Sequence, residues 1–254
     1  MIKLKSPMEI ELMRRAGKIT AAARALAGQM VTAGVTTLEI DSAVKNYIVS
    51  EGARPAFLGY NGFPNSVCIS VNEQVIHGIP GKRMLCDGDV VSVDVGAVKD
   101  GFVGDCAATF IVGAGSADSK KLVEVTRQSF FEGIKFAKTG FRVSDISRAI
   151  QQYAEANGFS VVREYVGHGI GSKMHEPPEV PNYVETPRRR PDPRLIAGMT
   201  LAIEPMINAG GAKIRVLADG WTVVTSDGKN SAHYENTVLI TQGEPEILTV
   251  NEAL

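Results

Sequence analysis

The stretch Val90–Val112, VVSVDVGAVKDGFVGDCAATFIV, decides the fold. Its two arms are rich in Val, Phe and Ile and meet at Lys99-Asp100-Gly101, and Asp-Gly between such runs marks a β-hairpin. Each arm carries one acid, Asp94 and Asp105, almost equally far from the turn. If Lys99 and Asp100 form a two-residue loop, position 94 pairs directly with 105 and the two carboxylates point to one face. A slip of one residue would part them. An acid inside an apolar strand is costly to bury without a partner, and two facing acids repel unless a proton or cation lies between them. Taken singly, each acid reads more simply as solvent-facing, because Asp is seldom fully buried.

Upstream, Ser6, Pro7 and Glu9 spell a capped helix start, and Ile10, Met13, Ile19, Ala23, Leu26 and Met30 supply an apolar face before Gly34. A second helix begins at Thr36 with Glu39 completing a capping box, shows Leu38, Ile40, Val44, Tyr47 and Ile48, and stops at Gly52. Strand periodicity holds from Cys68 to Val112, and helices return near Ser119–Ala137 and Ser144–Asn157.

The two helical passages are related. Shifted by 106 residues, Gly34, Ile40, Ala43, Val44, Tyr47 and Gly52 fall on Gly140, Ile146, Ala149, Ile150, Tyr153 and Gly158. After a gap of four, GDVVSVDVG at 88–96 resembles GMTLAIEPM at 198–206, which sets Glu204 where Asp94 stands. Glu235 in HYENTVLIT then parallels Asp105. The chain therefore reads as one unit of two similar halves, about 1–112 and 113–254, each with two helices and a pair of acid-bearing strands. Chance among common helix residues could produce the helical matches alone, but the acids falling into step make it a poor account.

Duplication changes the charge arithmetic. Two halves packed about a local two-fold bring Asp94, Asp105, Glu204 and Glu235 to one centre, and four carboxylates share a buried site only if a charge of about +4 neutralises them. Two divalent cations would do so. Oxygen-rich ligands argue for Mn, Fe, Co or catalytic Zn over a structural thiolate zinc. A nitrogen ligand is expected among His77, His168, His175 and His233. In YVGHGIGSKMHE, glycines 167, 169 and 171 let the backbone bend sharply around His168, which is the ligand of choice. His175 lacks the i, i+4 spacing to His168 that H-E-x-x-H zinc sites use, and is free to contact substrate instead. His77, in VIHGIPG, stands at a strand end.

Composition sets the frame. At 254 residues, 44% hydrophobic and 22% charged, the chain can bury a full core. A net charge of −1 and a pI near 6.4 carry no basic field for nucleic acid or an anionic membrane. The run Arg188, Arg189 and Arg190 among prolines reads as a solvated loop. No apolar run reaches the roughly 18 residues that a membrane helix needs, and three scattered cysteines fit a reducing compartment. A cytoplasmic location is expected.

Together His77, Asp94, Asp105, GHGIG with His168, His175, AIEP with Glu204 and HYENT with Glu235 resemble, in order and spacing, the bacterial kind of type I methionine aminopeptidase. The resemblance spans nearly the whole chain, including LGYNGFPNSVCISVNEQVIHGIPG and Gly220-Trp221. It implies the duplicated α+β pita-bread fold, two pseudo-symmetric halves with antiparallel sheets around a central two-metal site and helices outside. It also implies that Asp94, Asp105, His168, Glu204 and Glu235 are the metal ligands, with Asp105 and Glu235 bridging both ions. Glu204 is implied as proton shuttle, His175 as the donor to the tetrahedral oxyanion, and His77 as a contact to the nitrogen beside the scissile bond. For the methionine pocket the resemblance implies Phe57, Tyr60, Phe63, Cys68, Met174 and Trp221, an apolar lining suited to a thioether. Three positions depart from the family: Met174 stands where Phe is expected, Val103 where His is frequent, and Phe63 where Tyr is common. None removes a metal ligand.

The implied activity is removal of the initiator methionine from new polypeptides when a small residue follows. The implied partners are the N-terminal Met of nascent chains and, as a candidate, the ribosome, with the chain acting as a monomer. A prolidase or Xaa-Pro aminopeptidase shares fold and ligands but usually carries a separate amino-terminal domain, whereas here the catalytic pattern begins with almost no leader. A non-catalytic peptide-binding relative would typically lack ligands, and none is missing.

Overall fold

The computed structural model describes residues 1–250 except 186, 188 and 189. The first half runs α1 (Pro7–Met30), α2 (Thr37–Ser50), β1 (Arg54–Pro55), β2 (Val67–Val71), β3 (Gln74–Ile76), β4 (Val90–Lys99) and β5 (Phe102–Ile111). The second half opens with α3 (Ala117–Ile134), α4 (Val143–Ala156), β6 (Ser160–Val161), β7 (Gly167–Gly169) and β8 (Glu176–Val180). It continues with β9 (Thr200–Ile203), β10 (Met206–Asn208), β11 (Ile214–Val216), β12 (Val223–Thr225), β13 (Ser231–His233), β14 (Glu235–Leu239) and β15 (Glu246–Ile247).

Both capping boxes form as the sequence predicts, on Ser6 with Glu9 and on Thr36 with Glu39. Each satisfies two helix-end N–H groups that would otherwise lack partners, a contribution of about 1 kcal/mol. The buried face of α1 differs from the expected one. It consists of Met13 and the small residues Ala16, Gly17, Thr20, Ala21, Ala23 and Ala27, while Ile10, Ile19 and Met30 are only partly buried. The reason is proximity: a Cβ at Gly104 of β5 would lie 2.9 Å from the Ala16 carbonyl oxygen, so only small side chains fit between helix and strand.

The main sheet has the order β1-β4-β5-β14-β9-β7-β8, with β2 also paired to β4 and β15 to β14. Its central strands β4, β5, β14 and β9 are antiparallel, and they carry or adjoin all four acids. The sheet alternates as period-2 strands must. Val91, Val93, Val95 and Ala97 of β4 pack under α1 and α2, and Leu201 and Ile203 of β9 pack under α3 and α4, so Asp94 and Ala202 face the other way.

The halves match in backbone detail. Leu85 N donates to Val35 O and Leu195 N to Phe141 O; Thr37 N donates to Arg83 O and Val143 N to Pro193 O. Isolated bridges join Thr36 to Met84 and Arg142 to Arg194. These are the same contacts at the offsets found in the sequence. Gly34 and Gly140 both hold left-handed φ values, 88° and 95°, where a side chain would be strained.

The hairpin turn sits one residue further along than expected. Lys99 pairs with Phe102, and Asp100 and Gly101 form the loop with φ of 50° and 83°. A two-residue hairpin of this type needs positive φ at both positions, which Asp and Gly tolerate better than Lys and Asp. Asp94 consequently pairs with Ala107, and Asp105 with Gly96. The direct pairing of 94 with 105 is therefore wrong. The two-residue change in partner preserves the face, so the acids are diagonal neighbours on the same side.

Arg188 and Arg189 lie outside the described residues. Arg190 is not freely solvated: its guanidinium stands 2.7 Å from Glu179 and 2.6 Å from Glu185 and donates to Tyr183.

Candidate metal centre and substrate cavity

Two transverse rows of the sheet build the site. One runs Cys68, Asp94, Ala107, Glu235 across β2, β4, β5 and β14. The other joins Gly96 to Asp105 at one end and Ala202 to His168 at the other, with Thr237 between them. Thr237 Oγ1 accepts from Asp105 N and donates to Asp105 O, locking the two strands together at the acid. Glu204 follows β9 directly. In each row a small residue stands next to an acid, which leaves space over the sheet that larger side chains would fill.

His168 Nε2 lies 3.6 Å from Glu204 Oε1 and 3.9 Å from Asp105 Oδ2. Its Nδ1 donates to the Gly169 carbonyl at 2.9 Å, which fixes the tautomer and leaves the Nε2 lone pair toward the acids. The glycines that flank His168 answer to the packing of its strand. A Cβ at Gly167 would lie 2.4 Å from Ala202 O, and one at Gly169 2.3 Å from Pro177 O, so they allow β7 to be squeezed between β8 and β9.

The electrostatics are those of a cation site. Burial first, then the neighbouring carboxylates, hold Asp105 and Glu204 well above the ordinary range, and Glu235 is raised in the same way against the pull of Arg24. Burial pushes Asp94 up to about 7, against hydrogen bonds with Asp105 and the Val95 backbone. Burial also lowers His168 and His77 to about 4 and His233 to about 3, so these imidazoles are neutral at pH 7 with a lone pair to offer. Carboxylates about 4 Å apart repel by roughly 4 kcal/mol per pair even at an effective dielectric near 20. Asp94 Oδ1, Asp105 Oδ1, Glu235 Oε1 and His233 Nε2 are buried with no hydrogen-bond partner among the described residues. Donor atoms of Asp105, His168 and Glu235 lie within 4.8 Å of one another, as do those of Glu204, His233 and Glu235. Orphaned acceptors in this number are costly unless a metal claims them, so the residues present fit divalent ions.

The residues expected as metal ligands, as catalytic histidines and as the methionine pocket all line one cavity of about 270 Å³. Asp94, Asp105, His168, Glu204 and Glu235 lie along it with Phe57, Phe63, Cys68, Met174 and Trp221 as its apolar side, and His77, His175 and Tyr60 complete the lining. Trp221 meets Phe63 edge-on at 5.2 Å and His77 at 6.2 Å. His77 takes φ of 58°, a left-handed conformation rare for a non-glycine residue, where β3 ends. A Cβ at Gly96 would lie 2.7 Å from the Phe57 ring and 3.1 Å from Met174 Cε, so the bare backbone there makes room for the apolar lining. Two lining residues were not anticipated, Asn61 and Tyr165. Tyr165 begins the glycine-rich stretch and packs edge-on to His77 at 5.5 Å, and its position directly before VGHGIG was the available signal. Asn61 gave none.

Residues 11–242 match metallopeptidase family M24. A methionine aminopeptidase of Clostridium perfringens is 55% identical over 250 residues, covering 98% of this chain and 99% of its own length. The crystal structure of a methionine aminopeptidase from Thermotoga maritima superposes with a TM-score of 0.93 at 46% identity over 98% of this chain and 99% of that one. A prolidase from Pyrococcus furiosus, 23% identical with a TM-score of 0.79 over 66% of its length, shares the fold alone.

Proposed function

The chain belongs to metallopeptidase family M24 and is a metal-dependent aminopeptidase; we propose that it removes the initiator methionine from new polypeptides when the second residue is small. The observation that carries this reading is the adjacency, in one cavity, of the orphaned buried acids to an apolar wall of Phe57, Phe63, Cys68, Met174 and Trp221. Residues 1–254 act as a single catalytic domain built from two related halves, about 1–112 and 113–254.

Asp94, Asp105, His168, Glu204 and Glu235 would hold two divalent ions drawn from Co, Mn, Fe or Zn. When bound, such a pair supplies Lewis acidity and a water of lowered pKa for attack on a peptide carbonyl. Glu204 is suited to take up a proton from that water and return it to the leaving amine. His175 donates to the developing oxyanion, and His77 orients the nitrogen beside the scissile bond. Phe57, Phe63, Cys68, Met174 and Trp221 receive the methionine side chain, Met174 adapting its thioether to the ligand's own. Tyr60 orients His175.

No helix among the described residues is long and apolar enough to cross a membrane. We place the enzyme in the cytoplasm as a monomer acting on nascent chains, with the ribosome as a candidate partner.

Metal-loaded protein incubated with Met-Ala-Ser and Ala-Pro-Ala peptides tests the reading. Release of Met from the first and nothing from the second is expected. Release of Ala from Ala-Pro-Ala with Met-Ala-Ser left intact would assign the Xaa-Pro alternative instead, and rapid release of Met from Met-Lys or Met-Phe would overturn the requirement for a small second residue.

A further inference from the structure

His233 is used by none of the roles assigned above, yet it is 2% exposed and its Nε2 has no hydrogen-bond partner among the described residues. A histidine that merely fills a core finds a partner for its ring nitrogens, because an orphaned polar atom costs about 1–3 kcal/mol. Its Nε2 stands 3.8 Å from Glu204 Oε2 and 3.8 Å from Glu235 Oε2. Those separations exceed a hydrogen bond. They match the 3.6 Å and 3.9 Å that separate His168 Nε2 from Glu204 Oε1 and Asp105 Oδ2. Ligands about 2.1 Å from a common ion in a tetrahedral array lie about 3.4 Å apart, so a closure of a few tenths of an ångström would complete either set. Glu204 thus stands between two imidazoles, one facing each oxygen.

The backbone holds His233 in this position. Thr109 Oγ1 donates to His233 O at 2.8 Å and accepts from His233 N at 2.9 Å, and β13 pairs His233 with Met206. His233 ends β13 and Glu235 begins β14, and across the break at Tyr234 their side chains approach to 3.8 Å. We propose that His233 is a further metal ligand, a second imidazole that joins Glu204 and Glu235 around one of the two ions. The inference rests on the metal-centre reading given above. Its chemical consequence is selectivity: a second nitrogen donor in an oxygen-rich set favours Fe, Co or Zn over Mg and Ca.

Proton NMR in water of the protein loaded with two equivalents of Co(II) tests this directly, because each coordinated imidazole contributes one strongly shifted, exchangeable N–H resonance. Two such resonances are expected from the unaltered protein, one from His233→Gln and one from His168→Gln. Titration calorimetry should show His233→Gln binding one Co(II) at least about tenfold more weakly. A single resonance in the unaltered protein that persists in His233→Gln, or unchanged Co(II) affinity in that variant, would overturn the assignment. The count on the unaltered protein decides the matter even if the variant does not fold. No Co(II) uptake by the unaltered protein would instead remove the metal centre itself, and this inference with it.

Discussion

The Tyr60 hydroxyl lies 2.7 Å from Nδ1 of His175. Burial lowers the His175 pKa, so the ring is neutral at pH 7, and in the tautomer whose Nδ1 accepts from the Tyr60 hydroxyl the ring proton is on Nε2. That is the proton an oxyanion donor needs. His175→Ala is expected to keep its metals and to lose kcat by roughly 10²- to 10³-fold. Tyr60→Phe should lower kcat by a smaller factor with little change in KM. Steady-state kinetics with elemental analysis check both, and loss of metal from His175→Ala would contradict the assignment.

Glu204 and His168 should respond differently from His175. Glu204→Gln removes one of the acids and the proposed proton shuttle together, so metal content and rate fall together. His168→Ala should lose an ion. Retention of two ions by His168→Ala, measured by elemental analysis after dialysis, would refute its role as ligand.

Chelation should destabilise the fold as well as end catalysis. Ions that bind only the native state contribute RT ln(1 + [L]/Kd), about 2.7 kcal/mol at a hundredfold excess over Kd. The expected outcome is a melting temperature several degrees lower after exhaustive EDTA treatment, restored by Co(II) or Mn(II). An unchanged melting curve with no metal detected would show that the acids are stable without cations.

The Lys5–Glu176 ion pair, 2.7 Å long with both side chains 5% exposed, ties the amino terminus to the segment bearing Met174 and His175. Burial pushes the Glu176 carboxyl up, but the hydrogen bond and charge of Lys5 and the Lys173 N–H together outweigh it, so its pKa is lowered. A depressed folded pKa contributes stability that is present above the ordinary value of 4.5 and lost as pH falls through the lower one. Glu176→Gln leaves Lys5 buried without a counter-charge and should cost about 3–5 kcal/mol at pH 7. Urea melts at pH 7 and pH 3.5 should show the gap between the variant and the unaltered protein narrowing at the lower pH. A gap that stayed constant would mean that the pair contributes nothing electrostatic.

What the sequence determined by itself was local or repeated. Capping boxes on Ser6 and Thr36, strand alternation around Asp94 and Asp105, and the 106-residue offset depend only on neighbouring residues and on counting, and they implied four acids at one centre. What required the tertiary structure was distance between elements far apart in the chain. The loop expected at Lys99-Asp100 was one residue off, although positive φ at both loop positions favours Asp100-Gly101, a preference that the sequence already carries. The small face of α1 and the glycines around His168 answer to strands packed within 3 Å of a would-be Cβ, a constraint no periodicity records. His233 could not be told from an ordinary core histidine in the sequence. Its meaning arises because Thr109, on a strand more than a hundred residues away, clamps its backbone while Glu204 and Glu235 face its free nitrogen.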